Sequence, residues 1–310
     1  MKSRNWCAGV GSSLLLAVTA TAGPLQQSNV MNDPAWVIHL DLDALRQTSI
    51  GKQLLVEMEK PDAQKKFEAF QTVFNLDPRK DLHGVTLYSA TKSDADGVAL
   101  AYADFDAERL IALAQGNKDY EVSAHGTNKI HSWIDEKKKS RDGEPVRTYG
   151  ALYKGKTLIL GQRQDRISAA LDVLDGKQPN LAASKIFAPL GTGGGVFLTG
   201  GARTWELPAN DLGASVLKQA KLIWLNAQET EGKAELKLTV ETTNAEIAKQ
   251  LGDVCRGLVA VLALQTDKPE AMKLAKAIAI DQEPTGNAMF AKLSLPVVDL
   301  VEMIKSRAGK

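Results

Sequence analysis

The first patterned segment of the chain alternates between apolar and polar positions, which is the period of a β-strand. The apolar set is Trp36, Ile38, Leu40 and Leu42, and the set between them is Val37, His39, Asp41 and Asp43. We expect a strand with one buried face, the first set, and a polar edge facing solvent, the second. After Pro61, the spacing of Phe67, Phe70 and Phe74 is that of an amphipathic helix.

The rest of the chain repeats one order of elements, strand, turn, strand and helix. The first such unit includes strand 98–103 and a helix capped by Asp106, and the second spans 147–174. In the C-terminal half, two hairpins turn at 231–232 and 284–286, and a helix follows each of them. The long helix after the first of these hairpins has Ile247, Leu251, Val254, Leu258 and Val261 on one face.

These patterns predict an α+β protein of two related half-domains, each an antiparallel sheet built from hairpins with helices packed on one face. We place a signal peptide at 1–22, the N-terminal half-domain at 23–182 and the C-terminal half-domain at 183–310. A Gly-rich stretch at 191–195 lies near the junction and precedes a strand, so we interpret it as a linker or turn.

The N-terminal segment has the three parts of a secretory signal peptide. Lys2 and Arg4 precede an apolar core at 8–20, and small residues at 20 and 22 predict cleavage after Ala22. Cys7 lies before the apolar core, where the lipid-modified Cys of a lipoprotein does not occur. We therefore expect a secreted or periplasmic protein that is not a lipoprotein and has no transmembrane anchor once the signal is removed.

The charge balance excludes a nucleic-acid binder. The chain has 38 Lys and Arg against 37 Asp and Glu, and loss of Lys2 and Arg4 leaves 36 against 37. A protein that displaces counterions from phosphates needs a clear basic excess. Cleavage also leaves Cys255 as the single thiol, so the fold contains no internal disulfide, and we interpret Cys255 as a core residue.

One motif matches a phosphate-binding loop but lies in the wrong context. Residues 150–157 fit G-x4-G-K-[ST], yet residues on both sides of Gly155 have strand character, whereas the phosphate loop leads directly into a helix. We interpret Lys154-Gly155-Lys156 as a hairpin turn. No cofactor-binding residue and no catalytic residue is indicated by the sequence.

The only candidate metal ligands are His39, Asp41 and Asp43. Imidazole and carboxylate groups can bind a hard or borderline metal. Three ligands on one flat strand rarely converge on one ion, so these residues are weak candidates, and a solvent-facing polar edge is the favoured interpretation.

The segment Trp36-Val37-Ile38-His39-Leu40-Asp41-Leu42-Asp43-Ala44-Leu45 and the segment from Phe70 through Leu87 resemble a group of exported bacterial proteins of unknown function. The resemblance is strongest over residues 35–175. It implies export from a bacterial cell and no activity, cofactor or catalytic residue.

Three functions remain open from the sequence. The first is a non-catalytic envelope or secreted protein that binds another macromolecule. The second is a carrier of an apolar ligand, such as a lipid, held between the sheet and its helices. The third is a hydrolase that uses dispersed carboxylates such as Asp41 and Asp43. The absence of a recognised reactive constellation ranks the enzyme last.

Overall fold

The structure is a computed structural model, and it describes residues 23–139, 143–187, 190, 195–203, 219–265, 269–283 and 286–308. The predicted signal peptide with its cleavage site at Ala22 lies outside these residues. The Gly-rich residues 191–194 and residues 212–218, for which the sequence predicts a short helix, also lie outside them.

The described residues contain twelve strands in one antiparallel sheet and eight α-helices. The strands are β1 Trp36–Asp41, β2 Gly84–Ser89, β3 Gly97–Tyr102, β4 Lys118–His125, β5 Asn128–Lys139, β6 Pro145–Tyr153, β7 Thr157–Gly161, β8 Val196–Ala202, β9 Ala220–Thr230, β10 Lys233–Thr242, β11 Ile278–Gln282 and β12 Ala288–Pro296. The helices are α1 Leu42–Gln47, α2 Ser49–Met58, α3 Pro61–Phe74, α4 Ala107–Gln115, α5 Gln164–Leu174, α6 Ala245–Ala263, α7 Pro269–Ala277 and α8 Val297–Ala308. The predicted α+β fold is confirmed.

The sheet order is β11-β12-β10-β9-β8-β1-β2-β3-β7-β6-β5-β4. The halves meet where β1 pairs with β8, so one continuous sheet runs through both of them. Outward from this pair, β1-β2-β3-β7-β6 and β8-β9-β10-β12-β11 have the same order, and the hairpin β4-β5 extends the N-terminal half. The two halves therefore share a lead strand followed by two hairpins.

Local sequence explains where several elements begin and end. The Asp106 carboxylate accepts a hydrogen bond from the Arg109 amide and caps α4, as predicted. Helix α3 ends because Asn75 adopts a left-handed conformation with φ of 53°. Lys154 and Gly155 have φ of 50° and 72° and join β6 directly to β7. The phosphate-loop match is thus a hairpin turn, because both flanking segments pair as strands.

The two halves place their main cores on opposite faces of the sheet. In the N-terminal half, Ile167 and Leu171 of α5 belong to the core that contains Val37. In the C-terminal half, Leu251 of α6 packs with Val240 and Met289. Val240 pairs with Ile223, which pairs with Ala202, and Ala202 in turn pairs with Trp36. Paired residues lie on the same face of the sheet, so Val240 shares a face with Trp36, the neighbour of Val37. Because adjacent residues of a strand point to opposite faces, the two cores lie on opposite sides.

The prediction that Trp36, Ile38 and Leu40 form the buried face of β1 is wrong. Val37, His39 and Asp41 are the buried set, with His39 only 2% exposed, whereas Ile38 is 38% exposed. Strand β1 lies in the middle of the sheet, and its Val37 face is covered by the core that also includes Leu25 and Val30. The chain thus buries the more polar face of the strand, and hydrogen bonds to neighbouring side chains make this possible.

Helix α6 buries only part of its apolar stripe. Leu251 is buried, but Leu258 is 60% exposed and Leu264, just beyond the helix, is 77% exposed. Helix α7, which the sequence did not predict, packs on α6 and on β12. The stripe is therefore a real helical pattern whose C-terminal end has no cover among the described residues. Among all the described residues, no helix is both long enough and apolar enough to span a membrane.

Candidate binding site

The three weak candidates for metal ligands, His39, Asp41 and Asp43, each contact different partners within the protein. Asp41 Oδ1 accepts a hydrogen bond from the Ala44 amide at 2.8 Å and caps α1. Asp43 is on α1, where it pairs with Arg46 and lies 3.0 Å from Nδ1 of His83. Within the described ranges, no group of three or more His, Cys, Asp or Glu side chains has the arrangement of a metal site. The carboxylates therefore stabilise the start of α1.

His39 belongs to a chain of buried hydroxyl groups. Its Nδ1 lies 2.8 Å from Thr86 Oγ1, which lies 3.2 Å from the Tyr102 hydroxyl. Burial lowers the pKa of His39, although Asp41 and the backbone of Gly23 oppose this effect. Burial also raises the pKa of Tyr102. Both groups are thus neutral near pH 7, and they hold strands β1, β2 and β3 in register.

His39 Nε2 has no hydrogen-bond partner that satisfies normal geometry among the described residues. The imidazole is 2% exposed, and its neighbours in this chain are the hydroxyl groups of Thr86 and Tyr102. A general base must reach the proton that it removes from a substrate. The geometry therefore favours a structural role for His39.

An apolar cavity lies beside α1. Its volume is about 210 Å³, and it opens to solvent. Helices α1, α2 and α3 and the loop 75–83 form its wall, and no strand contributes. The lining residues are Leu42, Leu45, Arg46, Gly51, Leu54, Leu55, Met58, Phe67, Pro78, Arg79 and Leu82.

The geometry of α1 and α2 follows from local sequence. Thr48 is extended, ends α1, and accepts a hydrogen bond from the Gly51 amide that caps α2. Gly51 allows the close approach of the two helices, because a Cβ atom there would overlap the Leu45 carbonyl. The Ile50 amide donates to Glu229 on β9 at 3.0 Å, which fixes α2 against the sheet. The cavity wall is thus anchored to the centre of the fold.

Arg46 holds the loop wall of the cavity in place. Its Nε donates to the Arg79 carbonyl at 2.7 Å, and its Nη2 donates to the carbonyls of Leu82 and Pro78. Its Nη1 donates to Asp43 on the same helix. The planar guanidinium can make these contacts together because its donors form a rigid fork. Arg46 therefore ties α1 to the loop rather than offering its charge to a ligand.

Arg79 is the second arginine of the wall, and it is also paired within the protein. Its Nε and Nη2 both lie 2.9 Å from the carboxylate of Asp77, in a bidentate contact. Its guanidinium lies over the ring of Phe67, 5.3 Å from the centroid. The hydrogen bond from Arg79 lowers the pKa of Asp77, so this carboxylate stays ionised. The contact joins the loop to α3.

The cavity presents mainly apolar side chains, and its two charged side chains, Arg46 and Arg79, are paired within the protein. Leu54, Leu55, Met58 and the Phe67 stripe are visible in the sequence as helical apolar positions. The sequence does not indicate the role of Arg46, because Arg46 contacts carbonyls more than 30 residues away. No local signal indicates such contacts.

No protein-family model matches the chain, and a search of curated proteins also found no match. Among solved structures, the chain is similar to the one titled "Structure of crystal form III of TP0453", with a TM-score of 0.50 and 10% identity over 93% of this chain and 100% of that chain. It is also similar to "Structure of crystal form I of TP0453", with a TM-score of 0.46 and 10% identity over 92% of this chain and 98% of that chain. At this identity the first likeness shows a shared fold.

Proposed function

We propose that the protein is an exported, non-catalytic binding protein that holds an apolar ligand in the cavity between α1, α2 and α3. The observation that supports this proposal is the partly exposed state of seven large apolar residues and Pro78 around one opening. An engineered cavity of about 150 Å³ with a similar apolar lining stays dry and binds benzene. A cavity of about 210 Å³ has room for such a ligand.

Of the functions that the sequence left open, the apolar carrier is the one for which the described residues offer a built site. The cavity is bounded by helices and a loop, so the ligand would lie beside the sheet and not against it. The hydrolase lacks a comparable constellation among the described residues. Ligand binding in an apolar pocket with few polar groups is typical of small-molecule sites.

Binding of a fluorescent apolar probe, N-phenyl-1-naphthylamine, tests the proposal. We expect saturable binding to the wild type and loss of at least tenfold in affinity for Leu55→Trp, which fills the cavity. Val56→Trp is the matched control, since Val56 is the next residue of α2 and is 54% exposed. Absence of saturable binding, or equal loss in both variants, would contradict the proposed site.

The proposal includes export and processing. The charged start, the apolar core and the small residues before Gly23 support cleavage after Ala22 and a secreted or periplasmic location. N-terminal sequencing of the protein recovered outside the cytoplasm should begin at Gly23. A full-length chain in the cytoplasmic fraction would contradict this part.

The shared strand order of the two halves supports descent from a duplicated half-domain, with a boundary near residue 183. The hairpin β4-β5 is then an addition to the N-terminal copy. Superposition of experimental coordinates of β1-β2-β3-β7-β6 on β8-β9-β10-β12-β11 tests this. Strand directions that do not superpose would contradict duplication.

A further inference from the structure

The charges around the cavity indicate which apolar ligands it admits, if the proposed binding function holds. Arg46 uses its Nε, Nη1 and Nη2 atoms on three backbone carbonyls and on Asp43. A ligand carboxylate could pair with Arg46 only by displacing some of these contacts. Each displaced carbonyl would then lose its partner, which offsets the gain.

Arg79 is no more available to an anion. Asp77 occupies two of its nitrogens, and the carboxylates of Glu59 and Glu68 lie close enough to act on its charge. Lys80 is the other cation that acts on Asp77. The negative charges of four carboxylates therefore offset the positive charges of the two wall arginines and Lys80; these carboxylates are Asp43, Glu59, Glu68 and Asp77. Because the charges are balanced, an incoming anion gains no net attraction at the opening.

The interior of the cavity offers nothing to a charged group of either sign. Its wall is leucine, methionine, phenylalanine and proline side chains apart from the two arginines and Gly51. Moving an unpaired carboxylate or ammonium into such surroundings costs far more than moving a methylene group gains. The volume of about 210 Å³ is below the usual range of about 300–1,000 Å³ for drug-sized ligands.

We propose that the cavity selects small uncharged apolar molecules and discriminates against carboxylates and ammonium ions of comparable size. The inference rests on the proposed binding function and specifies its ligand class. Arg46 and Arg79 act in it as positioning residues for the wall and make no contact with a ligand head group.

Competition against N-phenyl-1-naphthylamine tests this ligand class at neutral pH with three probes of equal length: 1-octanol, octanoate and octylammonium. We expect 1-octanol to displace the dye, and each ion to bind at least tenfold more weakly. An ion that binds within tenfold of 1-octanol, or more tightly, would overturn the inference while leaving the binding function intact. Failure of the dye itself to bind in a saturable manner would reject the binding function.

Two variants separate the electrostatic argument from a simple effect of size. Asp77→Asn releases the Arg79 guanidinium, so octanoate should gain at least threefold in affinity while 1-octanol changes less than twofold. Glu59→Gln changes one exposed carboxylate near Arg79 and is the milder variant should Asp77→Asn fail to fold. An unchanged ratio of octanoate to 1-octanol affinity in the folded variants would contradict the role of internal charge pairing.

Discussion

Arg46 is the residue whose removal should separate the loop 75–83 from α1. Its side chain is 18% exposed, and its guanidinium contacts three carbonyl groups of the loop as well as Asp43. Replacement by methionine keeps most of the apolar stem of the side chain and removes every donor. The carbonyls of Pro78, Arg79 and Leu82 would then depend on water at the rim of the cavity.

The expected loss follows from these contacts. Hydrogen bonds contribute about 0.5–1.5 kcal/mol each after exchange with water, and a half-exposed pair such as Arg46 with Asp43 adds about 0–1 kcal/mol. We expect Arg46→Met to lower the free energy of unfolding by about 2–4 kcal/mol. Arg46→Lys should lose about half as much, because an ammonium group lacks the planar fork.

Urea unfolding followed by tryptophan fluorescence measures the effect as a shift of the midpoint at unchanged slope. The matched control is Arg256→Met on α6, since the Arg256 side chain is 46% exposed and donates to the Ile280 carbonyl at 3.1 Å and to Asp253 at 2.7 Å. We expect the control to lose less than about 1 kcal/mol. Equal losses at Arg46 and Arg256, or a lysine variant as stable as the wild type, would refute the reasoning.

Three further predictions address the core, a turn and a buried histidine. Leu171→Ala, at a fully buried position of α5, should lower the free energy of unfolding measured in urea by about 2–5 kcal/mol. Leu258→Ala on the exposed stripe of α6 should lower it by less than about 0.5 kcal/mol. Similar losses in the two variants would contradict the assigned packing. Gly176→Ala should cost about 1–2 kcal/mol because φ is +71°, while Gly116→Ala at φ of −73° should be nearly neutral; thermal melts that rank them otherwise would refute the backbone argument. Burial holds the pKa of His39 below its ordinary 6.5, so as the pH falls the unfolded chain binds the proton first, and stability is lost from about pH 6.5 downward. His39→Gln should flatten the fall of the urea midpoint between about pH 7.5 and 5.5, and an unchanged slope would exclude His39 as its cause.

The sequence determined the elements of this fold and much of their order. Period-two segments and turn residues such as Gly155 and Gly232 located the hairpins, because side-chain alternation and positive φ are local properties. Helices α3 and α5 were visible from apolar spacing for the same reason. The short helix α7 was not, since its apolar positions are few and its stability comes from packing on α6.

Only the tertiary structure decided which faces became buried and where a binding cavity formed. His39 and Asp41 lie inside because β1 is a central strand flanked by β2 and β8, a fact of sheet order that no local pattern contains. Arg46 holds the cavity wall together because it donates hydrogen bonds to carbonyls that are distant along the chain. The apolar periodicity of a segment indicates which side of its helix or strand is apolar. Which side is buried, and which side chains pair, depends on what the rest of the chain places beside that element.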